Sequence, residues 1–110
     1  QAAERVLSKI GFELVEVLGV SMFIQRSDPS PKRGVHIVFS KELIRAHYTH
    51  PAPDVKKSVR AADGFLVVNL PELVKMKLQS FRLTDQVHLQ DLRAMRLLTP
   101  RLVRSLPADL

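Results

Sequence analysis

The fold is decided by residues 65–82, which read FLVVNLPELVKMKLQSFR. The stretch opens with four apolar residues and changes at Asn69 to apolar positions spaced three and four residues apart. Asn69 and the proline two residues later are a typical helix start, because an Asn side chain caps the first turn and proline fits there. The sequence therefore predicts a short strand over 65–68, followed at once by an amphipathic helix over about 71–82.

The residues before this stretch predict one helix and three strands. Apolar residues recur at helical spacing over 3–10 and end at Gly11, a residue type that often follows the last turn of a helix. The next residues are rich in β-branched and aromatic side chains, with Gly19 as a break between two runs. A later run, VHIVF, is almost continuously apolar and is typical of a buried strand. We therefore expect strands at 12–18, 21–26 and 35–39.

The residues after 65–82 predict two more helices. Thr84 and Thr99 are both suited to cap a helix start, and Asp85 adds a carboxylate at a positive helix end. Together these patterns predict the α+β fold class: a mixed β-sheet of about four strands, with the N-terminal helix and the C-terminal helices packed on it. No repeat or linker divides the chain, so we expect a single domain over 1–110.

The connection 41–63 is the least regular part of the predicted fold. It contains Pro51 and Pro53, which interrupt strand pairing, and its apolar spacing is weak. We expect it to be a long surface excursion whose backbone amides exchange faster than those of the strand at 35–39.

Composition places the chain among ordinary globular proteins. It has 110 residues, a net charge of +6, 45% hydrophobic residues and no cysteine. The lack of cysteine excludes a disulfide scaffold, thiolate zinc sites and cysteine nucleophiles. No apolar stretch is long enough for a membrane span and no signal peptide is visible, so we expect a cytoplasmic protein without a membrane partner. The chain starts at Gln1 within a predicted helix, and we expect a further N-terminal segment to precede it.

Lys77 interrupts the apolar stripe of the helix over 71–82. It lies one turn after Leu73 and one turn before Phe81, so its ammonium group must either reach solvent or meet an anion in a cleft. Periodicity leaves these two interpretations equally open. The opposite, polar face of the helix carries Lys75, Gln79 and Arg82.

The remaining titratable residues give weaker signals. His88 and Asp91 are three residues apart on the next helix, so they can touch, and a surface contact is the simpler interpretation. His47 and His50 have H-x-x-H spacing without a third ligand, so no metal site is predicted. The basic residues are dispersed over loops and helices, which is compatible with phosphate binding and does not specifically indicate nucleic acid.

The segment 73–92 carries a resemblance to a known family. It reads LVKMKLQSFRLTDQVHLQDL and resembles the C-terminal signature of small bacterial nucleotidyltransferase-fold proteins, relatives of the abortive-infection toxins within the DNA polymerase β superfamily. Residues 11–23 and the run at 35–39 are similar to the middle of the same proteins. The resemblance spans nearly the whole chain and implies a nucleotidyltransferase-like α+β domain.

The resemblance also implies an activity and a set of site residues. The activity is the transfer of a nucleoside monophosphate from a nucleoside triphosphate to an unknown acceptor. The nucleotide-binding residues that it implies are Lys77, Arg82 and Asp91, and the residues implied to line the site are His36, Asp85 and His88. No catalytic residue is assigned.

Two hypotheses about chemistry follow from how the sequence departs from the family pattern. In the superfamily, a Gly-Ser turn and an Asp-x-Asp pair hold the triphosphate and two magnesium ions. Residues 19–21 supply a glycine and a serine, but no Asp-x-Asp follows, and the strand that corresponds to the superfamily's third carboxylate carries His36. Either a segment upstream of Gln1 supplies the acids and with them magnesium, or the chain is a catalytically inactive domain that binds a nucleotide, RNA or a protein.

Overall fold

The computed structural model describes residues 2–110 and confirms the predicted α+β class. The elements are α1 (Ala2–Ser8), β1 (Phe12–Val17), β2 (Val20–Gln25), β3 (Val35–His36), β4 (Ser58–Arg60), β5 (Leu66–Val68), α2 (Leu70–Ser80), α3 (Leu83–Ala94) and α4 (Pro100–Ser105). The chain divides into two compact units, one ending at Val38 and the other running from Phe39 to Leu110. The single-domain organisation stays a prediction. Within residues 2–110, no helix has both the length and the apolar character that crossing a bilayer requires.

The first unit is built on a β-hairpin. β1 and β2 are antiparallel, and their register pairs Val17 with Val20, so the turn consists of Leu18 and Gly19 alone. Both turn residues have left-handed backbones, with φ of 50° and 78°. In a two-residue hairpin turn this conformation matches the right-handed twist of the two strands, and glycine adopts it without steric cost. The break predicted at Gly19 is therefore the hairpin turn.

The third strand of this unit is short and lies close to β2. Val35 and His36 pair with Phe23 and Met22, which are both buried. A Cβ atom at Gly34 would lie 3.0 Å from the sulfur of Met22 and 3.2 Å from the carbonyl oxygen of Pro31, so a larger residue there would require these neighbours to shift. The predicted strand is confirmed only in its first two residues.

The second unit begins its regular structure with another hairpin. β4 and β5 are antiparallel, with Ser58 opposite Val68 and Arg60 opposite Leu66. The guanidinium group of Arg60 donates a hydrogen bond of 2.7 Å to the carbonyl oxygen of Gly64, which closes the turn.

α2 starts directly after β5, as the sequence predicts. The side chain of Asn69 accepts a hydrogen bond of 3.0 Å from the N–H three residues later, and Pro71 lies in the first turn. Phe81 has a left-handed backbone (φ 44°) and ends the helix. Thr99 caps α4 as Asn69 caps α2, with a hydrogen bond of 3.2 Å. These caps depend only on neighbours in the chain, which is why the sequence reveals them.

The start of α3 differs from the prediction. Thr84 is not its cap, because the helix already begins at Leu83. Asp85 reaches back instead, and its carboxylate accepts a hydrogen bond of 3.1 Å from the N–H of Arg82. An acid at the third helical position does this in many helices.

The predicted four-stranded mixed sheet is corrected to two small antiparallel sheets. β5 pairs with β4, which lies inside the connection predicted to be irregular, and both belong to the second unit. Pairing across a turn closes a short loop, whereas pairing with β1–β3 would close a long one at a higher entropic cost. The three residues of β4 are too few to show the alternation of apolar and polar residues that is typical of a strand, so the sequence does not predict this strand.

The rest of the connection is held by a few hydrogen bonds. The N–H of Lys41 donates to the carbonyl of Ala52, and the N–H of Ala52 donates to the carbonyl of Glu42, at 2.9 and 2.7 Å. Gln79 of α2 clamps the same connection: its Oε1 accepts from the N–H groups of Thr49 and His50 at 3.0 and 2.7 Å. Its Nε2 donates to the carbonyl of His50 at 2.7 Å. A polar side chain on the helix therefore orders the loop.

We expect Gln79→Ala to accelerate amide exchange at residues 49 and 50, because both N–H groups lose their acceptor. The lost hydrogen bonds should also lower the free energy of unfolding by about 1–3 kcal/mol. Gln90→Ala on the exposed face of α3 is the control and should change neither quantity. The clamp is refuted if exchange at residues 49 and 50 is the same in both variants, as measured by NMR.

Candidate functional site

The site lies where α2 meets α3. α2 ends at Ser80 and α3 begins at Leu83, so only two residues connect them, and the first of these, Phe81, reverses the chain with its left-handed backbone. This short connection brings the last turns of α2 against the first turns of α3. We use the name α2–α3 cluster for the polar side chains that meet there: Lys77, Ser80, Arg82, Asp85 and His88.

Asp85 is the centre of the cluster and is only 3% exposed. One carboxylate oxygen accepts from the hydroxyl of Ser80 at 2.7 Å and from Nε of Arg82 at 2.8 Å. The other lies 3.5 Å from the ammonium nitrogen of Lys77. The hydrogen bond from the Arg82 guanidinium, assisted by that from Ser80, holds the pKa of Asp85 far below its usual range despite burial. Asp85 is therefore a fixed negative charge.

Lys77 is held between a carboxylate and an imidazole. Its side chain is 18% exposed, and its ammonium nitrogen lies 2.8 Å from Nδ1 of His88. An ammonium group only donates hydrogen bonds, so Nδ1 accepts and this contact favours the His88 tautomer with its proton on Nε2. The ammonium group of Lys77 therefore meets an anion within the protein, the carboxylate of Asp85, while part of the side chain stays exposed.

The lysine and the arginine of the cluster face a single carboxylate, so these three side chains keep one positive charge in excess. The Arg82 side chain is 73% exposed although its Nε is bound to Asp85. The same hydrogen bond raises the pKa of Arg82 above its usual value. The arrangement therefore presents fixed cationic donors at a surface, which suits the binding of an anion.

Four of the six site residues that the resemblance implies come together here, namely Lys77, Arg82, Asp85 and His88. Asp91 is exposed on α3, and within residues 2–110 its side chain has no hydrogen bond or ion pair. The contact between His88 and Asp91 therefore does not form. His36 is exposed in β3, which belongs to the first unit.

Ser80 is the member of the cluster that sequence reasoning missed. It lies at the end of α2, five residues before Asp85, and its hydroxyl bonds both to Asp85 and to the carbonyl of Met76 at 3.0 Å. The available signal was the acid at the third position of α3, because such an acid reaches back toward the preceding segment. Nothing in the spacing singles out Ser80 itself.

The described residues do not fit a metal centre. Within residues 2–110, no three His, Asp or Glu side chains lie together in a way that could hold a metal ion. Both oxygens of Asp85 face donors from Ser80, Arg82 and Lys77. Nε2 of His50 is bound to Asp109 at 2.9 Å, whereas the ring of His47 packs edge-on against Tyr48.

Comparison with protein-family models, with curated proteins and with solved structures finds no match for this chain. The resemblance to nucleotidyltransferase-fold proteins thus stays a prediction from the sequence.

Proposed function

We propose that this chain is a nucleotidyltransferase-like protein whose α2–α3 cluster binds the phosphates of a nucleoside triphosphate. The observation that carries the proposal is the placement of Lys77 by a buried carboxylate and a histidine, at 3.5 and 2.8 Å. A lysine held in this way loses little further side-chain entropy on binding an anion, which makes the interaction more favourable than with a mobile surface lysine.

The cluster has donors left for a ligand. The ammonium of Lys77 uses two of its three protons toward Asp85 and His88. Arg82 uses Nε and Nη2 toward Asp85, so Nη1 has no partner within residues 2–110. In the favoured tautomer His88 also keeps its Nε2 proton, and the residue is exposed. Cationic nitrogen donors are the usual partners of phosphate oxygens.

The transfer step rests on the resemblance, and the binding step on this chain's residues. In the proposed reaction an acceptor oxygen bonds to the α-phosphorus of the triphosphate, and pyrophosphate leaves. Lys77 and Arg82 would hold phosphate oxygens. Magnesium enters the proposal as the ion that accompanies the nucleotide, because Mg²⁺ is usually held by substrate phosphates together with waters and one or two carboxylates. The nucleotidyltransferase-like arrangement of the fold belongs to the same proposal.

A catalytically inactive domain that binds a nucleotide, RNA or a protein is the second candidate. One observation favours it: Asp85, the buried acid of the cluster, is committed to Arg82 and Ser80 and so is not free to act as a base. Its depressed pKa points the same way, because a general base works best with a pKa near the operating pH.

Calorimetric titration with each of the four nucleoside triphosphates and magnesium tests the binding step. We expect at least one to bind with Kd below about 1 mM. Parallel incubation with α-labelled and γ-labelled triphosphate tests the transfer step, because only the α-label stays on the acceptor. Binding together with α-label transfer supports the enzyme, and binding without transfer supports the inactive domain. If none of the four binds, the proposed function is wrong.

A further inference from the structure

A cavity lies along a different face of α2 from the one that carries Lys77 of the α2–α3 cluster. Its helical wall is formed by Glu72, Lys75, Met76 and Gln79, which recur at the spacing of one helix face. The loop 50–54 forms the facing wall, and both walls belong to the second unit. The cavity encloses about 220 Å³. At about 30 Å³ per water molecule this is room for several waters or one small organic molecule.

Part of the cavity lining is apolar. It is formed by Pro51, Ala52 and Pro53 of the loop and by Met76 of α2. The two prolines have no N–H group, and the N–H of Ala52 is already bonded to the carbonyl of Glu42 at 2.7 Å. This part of the cavity has no free backbone donor and suits a hydrocarbon group.

The cavity lining includes one positive charge without an ion-pair partner. Lys41 is paired with Asp54 at 3.2 Å, and Lys75 is paired with Glu72. Lys57 also lines the cavity, but within residues 2–110 no carboxylate lies within 4 Å of its ammonium group. Three lysines therefore face two carboxylates, which leaves one positive charge.

The other polar groups of the cavity are already engaged. The amide of Gln79 bonds to the backbone of Thr49 and His50, and the imidazole of His50 bonds to Asp109. Asp109 has its pKa lowered mainly by this contact with His50. These bonds order the loop before any ligand arrives, so a ligand does not have to order it.

We propose that this cavity binds a small monocarboxylate with a short apolar body. The carboxylate contacts Lys57, and the hydrocarbon lies on Pro51, Ala52 and Met76. A monoanion matches the single excess charge, whereas a doubly charged phosphate would leave an unmatched negative charge beside Asp54 and Glu72. The cavity uses Lys75, Met76 and Gln79, while the cluster uses Lys77 and Ser80, so this inference does not depend on the proposed function.

Titration of the whole chain with pentanoate, followed by NMR of backbone amides, tests the proposal. We expect shifts at residues 52, 54–57 and 72–79, with saturation in the millimolar range. Pentanamide has the same body without the charge and should bind about fivefold more weakly, as should pentanoate to Lys57→Gln. Lys56→Gln is the matched control, because Lys56 precedes Lys57 and does not line the cavity. Its affinity should equal that of the wild type.

Three results would overturn the proposal. The first is the absence of pentanoate-dependent shifts at these amides. The second is equal pentanoate affinity of Lys57→Gln and Lys56→Gln, each shown to be folded by its NMR spectrum. The third is binding of inorganic phosphate at least as tight as that of pentanoate, which would exclude a monocarboxylate as the class of ligand.

Discussion

Replacement of Asp85 by asparagine is expected to lower the free energy of unfolding by about 3 kcal/mol at neutral pH, because a buried carboxylate loses several hydrogen bonds and each charged one contributes about 1.5–3 kcal/mol. The carboxylate is only 3% exposed and accepts from Ser80, Arg82 and Lys77. An asparagine keeps the shape but has no charge, and its amide group brings donors to a place where donors already converge. Two cations would then face no acid.

Thermal and urea unfolding measure this effect, and the loss should appear as a fall in Tm of at least about 10 °C. Asp91→Asn is the matched control, since it makes the same change six residues later on an exposed face of α3. We expect it to change stability by less than about 0.5 kcal/mol. Similar stability of the two variants would show that the cluster does not stabilise the fold.

The same variant gives a defined pH dependence. The pKa of Asp85 is lowered in the folded protein, first by the hydrogen bond from Arg82 and then by that from Ser80. A lowered pKa means that the carboxylate contributes its full stability above the unfolded pKa of about 3.9, and that this contribution is lost as the pH falls further. The stability difference between wild type and Asp85→Asn should therefore be constant between about pH 5 and 8 and should shrink below about pH 4.

Replacement of Lys77 by methionine is expected to weaken nucleoside triphosphate binding about ten- to a hundredfold, the effect of a lost charged hydrogen bond of about 1.5–3 kcal/mol. Methionine keeps an unbranched apolar stem, and Asp85 keeps its bonds to Ser80 and Arg82. We therefore expect the fold to persist, with a stability change of less than about 1 kcal/mol.

Calorimetric titration with nucleotide and magnesium measures the affinity, and a thermal melt of the same sample measures the fold. Lys56→Met is the control, because it removes the same charge from an exposed turn outside the cluster. A folded Lys77→Met variant that binds as tightly as the wild type would remove Lys77 from the nucleotide site. Its ammonium would then have only the structural role of pairing with Asp85.

The candidate site was only partly visible in the sequence. Lys77 stood out because it interrupts an apolar stripe, and the structure shows it held by Asp85 and His88. Ser80 had no such signal, and Gln79 looked like a solvent-facing residue although it clamps the loop at 49–50. The spacing of apolar residues in a helix shows which side chains lie outside its apolar face. It does not show which other segment of the chain contacts those side chains.

Features that depend on near neighbours in the chain could be predicted from the amino-acid sequence. Asn69 and Thr99 start α2 and α4, and Gly19 lies in the turn between β1 and β2, because caps and tight turns are set by residues within a few positions. Two further features are seen only in the tertiary structure: β5 pairs with β4, and the carboxylate of Asp85 joins α3 to α2 by its hydrogen bond with Ser80. Which partner a strand or an acidic side chain takes depends on the relative free energies of alternative pairings with distant segments. The local pattern of a three-residue strand or of a single acid does not show these free energies.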